Sequence, residues 1–413
     1  MLPEGWGPAH VNELYDQLPI GKRFEKKATL SSGLIPVVDQ STDGIIGWHN
    51  EEPGIEATTD TPVVTFANHT CEMRVMRRPF SVIQNVFPLV GRPGVCDTMF
   101  LYYATKGRVW LEEYKGHFPD YRRKWVPVPP LPEQRAIVSI LAALDDKIEL
   151  NNRLVATVGA MARSLFRSWF VDFDPTRAKQ EGQPPFLGSA IWSLFPDHFD
   201  EEGKPEGWER IVLRDAADVF SGGTPAKGNA DLWNGLIPWI SPKVMTDIHV
   251  SDSEDRVTQR AIGTGTRMAP AGSVLLMVRG MGLHQGVRIS QARRDVTFNQ
   301  DVKALVPKRL SGSHLLFGML DAAPYLFSRV EAAGHGTGKL PTEIIDGVSF
   351  VTPAPTGAAY ARLIPILDFF NDRIAASNAE SMTLRAIRDT LLPKLVSGEL
   401  RVTEPQRILE KSA

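Results

Sequence analysis

The sequence predicts an α+β chain. Two mostly-β domains are separated by two long helices packed as an antiparallel intramolecular coiled coil, the whole duplicated about a pseudo-twofold. Three observations predict it. Pro3-Glu4-Gly5-Trp6 returns as Pro205-Glu206-Gly207-Trp208, and Gly33-Leu34-Ile35-Pro36 returns as Gly235-Leu236-Ile237-Pro238, at one and the same offset. A period of about 200 residues is too long for a solenoid unit and marks a duplicated domain pair. Each half then closes on an apolar seam of alternating four- and three-residue steps, which is a heptad pattern. The segments before the seams are rich in Gly, Pro and short β-branched or aromatic runs.

In chain order, residues 1–130 form the first β domain. Its strand signals include Val63-Val64-Thr65-Phe66, punctuated by turns such as Asp43-Gly44. Pro127, Pro129, Pro130 and Pro132 make a stiff approach to a central helix assigned to 131–175. Proline is tolerated in a first helical turn, and Glu133 favours the positive end of the dipole. The seam runs Ile137, Leu141, Leu144, Ile148, Asn151, Val155, Val158 and Leu165. Residues 176–204 read as a polar surface linker, and 205–352 as the second β domain. Its signals are Val274-Leu275-Leu276-Met277-Val278, Val348-Ser349-Phe350-Val351 and one helix near Ser313–Phe327. Residues 353–413 hold a C-terminal helix and tail, with the seam Leu363, Leu367, Phe370, Ile374, Ser377, Leu384 and Leu391; Pro393 disturbs the last turn. Each seam carries one polar layer, Asn151 or Ser377. Such a layer costs stability and specifies register.

Composition excludes several classes. Of 413 residues 43% are hydrophobic and 23% charged, an ordinary globular balance. The formal net charge of −2 excludes binding to polyanions by bulk charge, so any nucleic-acid site is a local patch. The two cysteines, Cys71 and Cys96, read as free thiols in a reducing compartment. No secretion signal or membrane span is expected, which makes the chain cytoplasmic with no membrane partner.

The chain looks catalytically empty. It lacks a GxxxxGK[ST] phosphate loop, HExxH and GxSxG. Gln183-Pro184-Pro185-Phe186 only faintly resembles an amino-methyltransferase signature, and Asp197-His198 and His69/Cys71 are too sparse to hold a metal. No metal site and no cofactor are expected. Local basic surface is present: between 260 and 309 nine Arg or Lys face only Asp295 and Asp301. In the first half Arg74, Arg77 and Arg78 cluster, as do Lys115, Arg122, Arg123 and Lys124. Base reading needs Arg, Asn, Gln, Ser/Thr or His on loops within such patches. The candidates are His69, Arg74, Arg77, Gln84 and Asn85 in the first half. In the second they are Thr224, Lys227, Lys243, Arg279, His284, Gln285, Asn299 and Gln300. Asn299 and Gln300 could equally tie down a loop.

These residues carry a resemblance to the DNA-specificity (S) subunits of type I restriction–modification systems. The two Pro-Glu-Gly-Trp motifs are similar to the starts of that family's two target-recognition domains. Ser221-Gly222-Gly223-Thr224-Pro225 with Ile237-Pro238-Trp239-Ile240-Ser241 resembles the opening of one class of them. Pro129 to Arg135 and Ser168 to Pro175 resemble the borders of the central spacer helix; Ala354-Pro355-Thr356-Gly357 departs from that pattern. The resemblance implies a non-catalytic, defence-related subunit that binds a bipartite, asymmetric sequence in double-stranded DNA. It implies two methyltransferase (M) subunits carrying S-adenosylmethionine, and two restriction (R) subunits using ATP and Mg. The helix pair is expected to be a spacer roughly 50 Å long. The rival readings are a standalone DNA-bridging or regulatory protein, and a methyltransferase or nuclease with an unrecognised active site.

Overall fold

Pro3-Glu4-Gly5-Trp6 folds into a tight turn, and so does its repeat. The Trp6 amide donates to the Pro3 carbonyl at 3.1 Å, and the Trp208 amide to that of Pro205 at 3.0 Å. Gly5 and Gly207, third in each turn, have φ of +81° and +74°, a region that only glycine occupies without strain. Both tryptophans are thereby turned inward and buried. The strand after each turn pairs antiparallel with the strand that leads to a long helix. Gly7–His10 pairs with Trp125–Val128, and Trp208–Val212 with Ser349–Pro353. The duplication is one of backbone as well as of letters.

The computed structural model describes residues 2–111 and 115–402; the tail expected beyond 402 lies outside the described residues. The chain divides into two units, Met1–Leu150 with Glu380–Ala413, and Asn151–Ala379. The division falls inside both long helices, Leu131–Phe170 and Ala358–Ser397.

The first unit holds a four-stranded antiparallel sheet in the order Tyr15–Gln17, Val86–Gly91, Val63–Ala67, Met73–Met76. A three-stranded sheet orders Ile45–His49, Ile35–Val38 and Ser81–Val82. Helix Thr98–Thr105 is capped by Asp97, whose carboxylate accepts from Met99 and Phe100 amides. The core joins Val64, Phe66, Phe100, Leu101 and Tyr121 to Ile137 and Leu141 of the central helix and Leu395 and Val396 of the C-terminal helix. Ion pairs Arg388–Asp145 at 2.7 Å and Lys147–Glu380 at 3.3 Å run between the same two helices. The start of one helix therefore lies beside the end of the other, antiparallel.

Glu133 and Gln134 at the helix start lock this unit together. Glu133 accepts from the Trp6 indole at 3.1 Å and from two nitrogens of Arg401 at 2.7 and 2.9 Å. Gln134 is fully buried; its carbonyl accepts from the Asp97 amide, and its amide donates to the carbonyls of Val95 and Pro129. Gln134→Ala removes the partner of three backbone groups, the Pro129 carbonyl buried and those of Asp97 and Val95 part-buried. It is expected to cost about 3 kcal/mol in urea unfolding, since each unpaired buried polar group costs about 1–3 kcal/mol. A loss below about 1 kcal/mol would show that water reaches these groups.

The second unit holds a five-stranded sheet in the order Ala217–Ser221, Val302–Pro307, Val274–Met277, Ile289–Ala292, His249–Val250. A four-stranded sheet orders Arg256–Val257, Trp233–Ile240, Val296–Phe298, Arg267–Ala269. A three-stranded one orders Arg279–Gly280, Thr337–Lys339, Glu331–Ala333. Helix Gly312–Ser328 starts at Ser311, whose hydroxyl accepts from the His314 amide. The core joins Ala162, Phe166 and Phe170 of the central helix to Leu363, Ile364 and Leu367 of the C-terminal helix, again antiparallel. Within this unit the polar seam residues Asn151 and Ser377 are both buried. Pro393 leaves the C-terminal helix unbroken to Ser397.

The 171–204 stretch is more embedded than a polar surface linker. It forms helices Asp174–Gln180 and Ser189–Trp192 and buries Ala178 and Phe195. The physical reason is aromatic: Phe195 packs 5.6 Å from Trp169 and 5.9 Å from Trp208, and Phe173 lies 6.0 Å from Trp208. In this repeat an aromatic cluster holds the tryptophan that the Glu133–Arg401 pair holds in the other.

Candidate nucleic-acid interface

In the second unit, a glycine loop draws three segments together. Gly222 and Gly223 lie where a Cβ would run into the carbonyls of Asn299 and Gly265, so only glycine permits the approach. The Gly223 amide donates to the Phe298 carbonyl at 2.9 Å, and the Trp239 indole to the Gly223 carbonyl at 3.0 Å. Thr224 donates to the Gln300 side-chain oxygen at 2.6 Å, leaving the exposed amide group of Gln300 to face outward. Asn299 is buried, bonded to Asp301 through both its oxygen and its nitrogen, and shapes the loop from within.

Arg279 joins this end of the sheet through the backbone. Its neighbour Val278 donates to the Asp301 carbonyl at 2.8 Å, and Arg279 itself pairs with Lys339. His284 bonds the Gly336 carbonyl at 3.2 Å and, with Gln285, is exposed on the adjoining turn. Lys227 and Lys243 are exposed but stand outside this bonded group; Lys243 lies 3.9 Å from Glu254. Two members of the 260–309 basic patch that were not among the base-reading candidates also lie here: the Arg267 guanidinium sits 5.7 Å over the Phe220 ring beside the glycine loop, and Lys303 is 3.5 Å from Ser221. A cation opposite an apolar strand residue leaves no mark in a one-dimensional pattern.

In the first unit the turn 67–72 is the focus. His69 bonds Asn85 at 3.2 Å and the Lys115 carbonyl at 3.0 Å, and its amide donates to Gln40. Asn85 has φ of +65°, which asparagine tolerates. Gln84 is exposed beside it. Arg74 donates to the carbonyls of Ser41 and Thr42. Arg77 is bound to Asp146 of the central helix at 2.6 Å, where it fastens sheet to helix.

The second domain is fastened to its helix by a buried network. His249 meets Asn371 at 2.7 Å, and Asn371 donates to Gln291 and Ser313. Burial pulls the His249 pKa below its usual value, so the ring is neutral near pH 7. Arg293 adds an ion pair to Asp372 at 2.8 Å.

Burial pushes the Cys96 thiol up to about 12 and raises that of Cys71, which disfavours the thiolate at both. Among the described residues no group of three or more His, Cys, Asp or Glu side chains could hold a metal, and no helix is long and apolar enough to cross a membrane.

No protein-family model matches the chain. It is 25% identical over 323 residues to the HindI type I restriction enzyme specificity subunit of Haemophilus influenzae, covering 66% of this chain and 68% of that one. A type I restriction enzyme specificity subunit of Escherichia coli is 25% identical over 387 residues, covering 89% of this chain and 86% of the relative. The chain is similar to type I restriction enzyme specificity subunits. The fold agrees. A crystal structure of the S subunit of a type I restriction–modification system from M. genitalium superposes with a TM-score of 0.61 at 16% identity, covering 95% of this chain and 96% of that one.

Proposed function

We propose that this chain is the non-catalytic specificity subunit of a type I restriction–modification assembly. It binds a bipartite, asymmetric sequence in double-stranded DNA and directs adenine methylation or cleavage by partner subunits. Residues 1–130 and 205–352 act as target-recognition domains, and the helices spanning 131–175 and 353–413 as the spacer between half-sites and the dock for two M and two R subunits. S-adenosylmethionine belongs to the M subunits, ATP and Mg to the R subunits. The assembly works in the cytoplasm.

The observation that carries this reading is similarity to specificity subunits over most of the chain, joined to a duplication whose frame is kept and whose exposed loops differ. Repeated turns and strand pairings preserve the frame, while the Ser221-Gly222-Gly223-Thr224-Pro225 stretch of the second half has no counterpart in the first. Different loops on one frame suit two different half-sites. The same similarity disfavours a standalone DNA-bridging protein. The test is methylome sequencing of a host that expresses the chain with its methyltransferase partner. Adenine methylation at one bipartite motif, lost when this chain is omitted, is expected; no new motif from a folded complex would overturn the reading.

Arg279 is exposed among polar loop residues, and as a base reader it contributes discrimination at one base pair. Arg279→Ala is expected to cost about 1–3 kcal/mol on the target and to relax preference at a single position, seen in competition with singly substituted duplexes. A uniform weakening on every duplex would make it a phosphate contact instead.

A further inference from the structure

Several cations of the first domain are already engaged. Arg77 pairs with Asp146, Lys22 with Glu51 and Arg92 with Asp16, while Arg74 binds carbonyls. A further group of cations in that domain faces a cleft of about 410 Å³ whose described lining includes Arg108, Trp110, Lys115, His117, Arg123 and Lys124; Arg108 also donates to the Ala104 carbonyl at 2.5 Å. Among the described lining residues Asp120 is the one carboxylate, and it lies 3.6 Å from Lys115. Among the described residues, Arg123 and Lys124 have no carboxylate within ion-pair distance. Trp110 is 60% exposed, with the Lys124 ammonium 5.7 Å over its ring.

The cleft is fixed to the turn that carries His69. His117 donates its amide to the Asn68 carbonyl at 2.8 Å, Phe118 donates to the Asn68 side chain at 2.9 Å, and the Lys115 carbonyl bonds His69. Cations and the candidate base readers are thus held in one arrangement. Among its described residues the lining has no Asn, Gln, Ser or Thr, and its positive charge is carried by Arg108, Lys115, Arg123 and Lys124. Arg and Lys around an exposed aromatic suit a feature that every nucleotide shares, the phosphate and its sugar.

We propose that this cleft holds backbone phosphates of the DNA read by the first domain, with Trp110 against the adjoining sugar. The inference rests on the DNA-recognition reading and adds a specific positioning site to it. Arg108, Lys115, Arg123 and Lys124 set the depth and register of the duplex; His69, Gln84 and Asn85 meet its bases. Bound cations displace counterions from the duplex, so each phosphate contact steepens the salt dependence of binding.

The test uses the full chain in complex with its methyltransferase partner, a duplex carrying the methylated motif, and a random duplex, titrated across a salt series. The variant R123A/K124A is expected to make the plot of log affinity against log salt shallower by about two. Affinity for both duplexes falls by a similar factor, so the preference between them is kept. The charge-keeping variant R123K/K124R retains the wild-type slope, and R122A, outside the cleft lining, leaves it unchanged. An unchanged slope in R123A/K124A, a loss confined to the motif duplex, or an equal shift in R122A would overturn the proposal. Failure of the wild-type complex to bind either duplex would instead overturn the DNA-recognition reading itself.

Discussion

Four residues inserted after Ala160 are expected to change the half-site spacing that the assembly methylates. Ala160 lies within the unbroken helix Leu131–Phe170, next to Gly159, where an added Cβ would stand 3.9 Å from Ile374 of the C-terminal helix. Four residues add ~6 Å of helix and turn it by about 400°, so the seam returns to nearly the same face. Such a four-residue stutter is absorbed by local unwinding rather than by loss of the pair. At about 3.4 Å per base pair, the accepted spacing should grow by one or two base pairs while the two half-site sequences stay as they were. Methylome sequencing of the insertion variant reads the result directly. Unchanged spacing would mean that the helix is not the ruler.

A second large effect comes from His314. Its ring is fully buried, and among the described residues neither nitrogen has a hydrogen-bond partner. Aromatic rings enclose it: Phe170 at 4.8 Å, Phe166 at 5.4 Å and Tyr360, stacked at 5.6 Å. Burial alone lowers its pKa from 6.5 to about 3, because the apolar surroundings disfavour the charged form. The unfolded chain therefore binds a proton below about pH 6.5 that the folded chain refuses until near pH 3. The stability supplied by the neutral ring is complete above pH 6.5 and falls by about 1.4 kcal/mol per pH unit below it.

His314→Leu removes the titration and the two unpaired nitrogens together. Urea melts of the two proteins from neutral to acid pH should diverge in that proportion, the wild type losing more. Parallel curves would show that water or a neighbouring group reaches the ring and relieves it.

The turn at Pro-Glu-Gly-Trp was legible because its physics is local: a glycine at positive φ, one short-range hydrogen bond and a tryptophan to bury. The long helices were legible because heptad spacing is periodic. Ile137, Leu141, Leu363 and Leu367 are all fully buried. The glycine loop at Gly222-Gly223 was legible as a motif, although its reason, the close approach of the Asn299 and Gly265 backbones, was not.

The candidate site was only half legible. Sequence named His69, Asn85, Thr224 and Gln300 without knowing that each meets its partner, Asn85 to His69 at 3.2 Å and Thr224 to Gln300 at 2.6 Å. Nothing in one dimension distinguishes Arg77, bound to the central helix, from Arg123, which has no such tie among the described residues. Both are arginines beside other cations, and their fates depend on an aspartate in another element.

Sequence alone thus determined the duplication, the helix pair and the absence of recognisable catalytic motifs, because turns and heptads repeat over a few residues. Tertiary structure alone decided which cations are engaged in ion pairs. It alone showed that Glu133 and Arg401 hold Trp6 while aromatic rings hold Trp208, and that His314 sits without a partner. Those outcomes rest on contacts between segments far apart in the chain, where burial and charge neutralisation depend on what the fold places opposite each side chain.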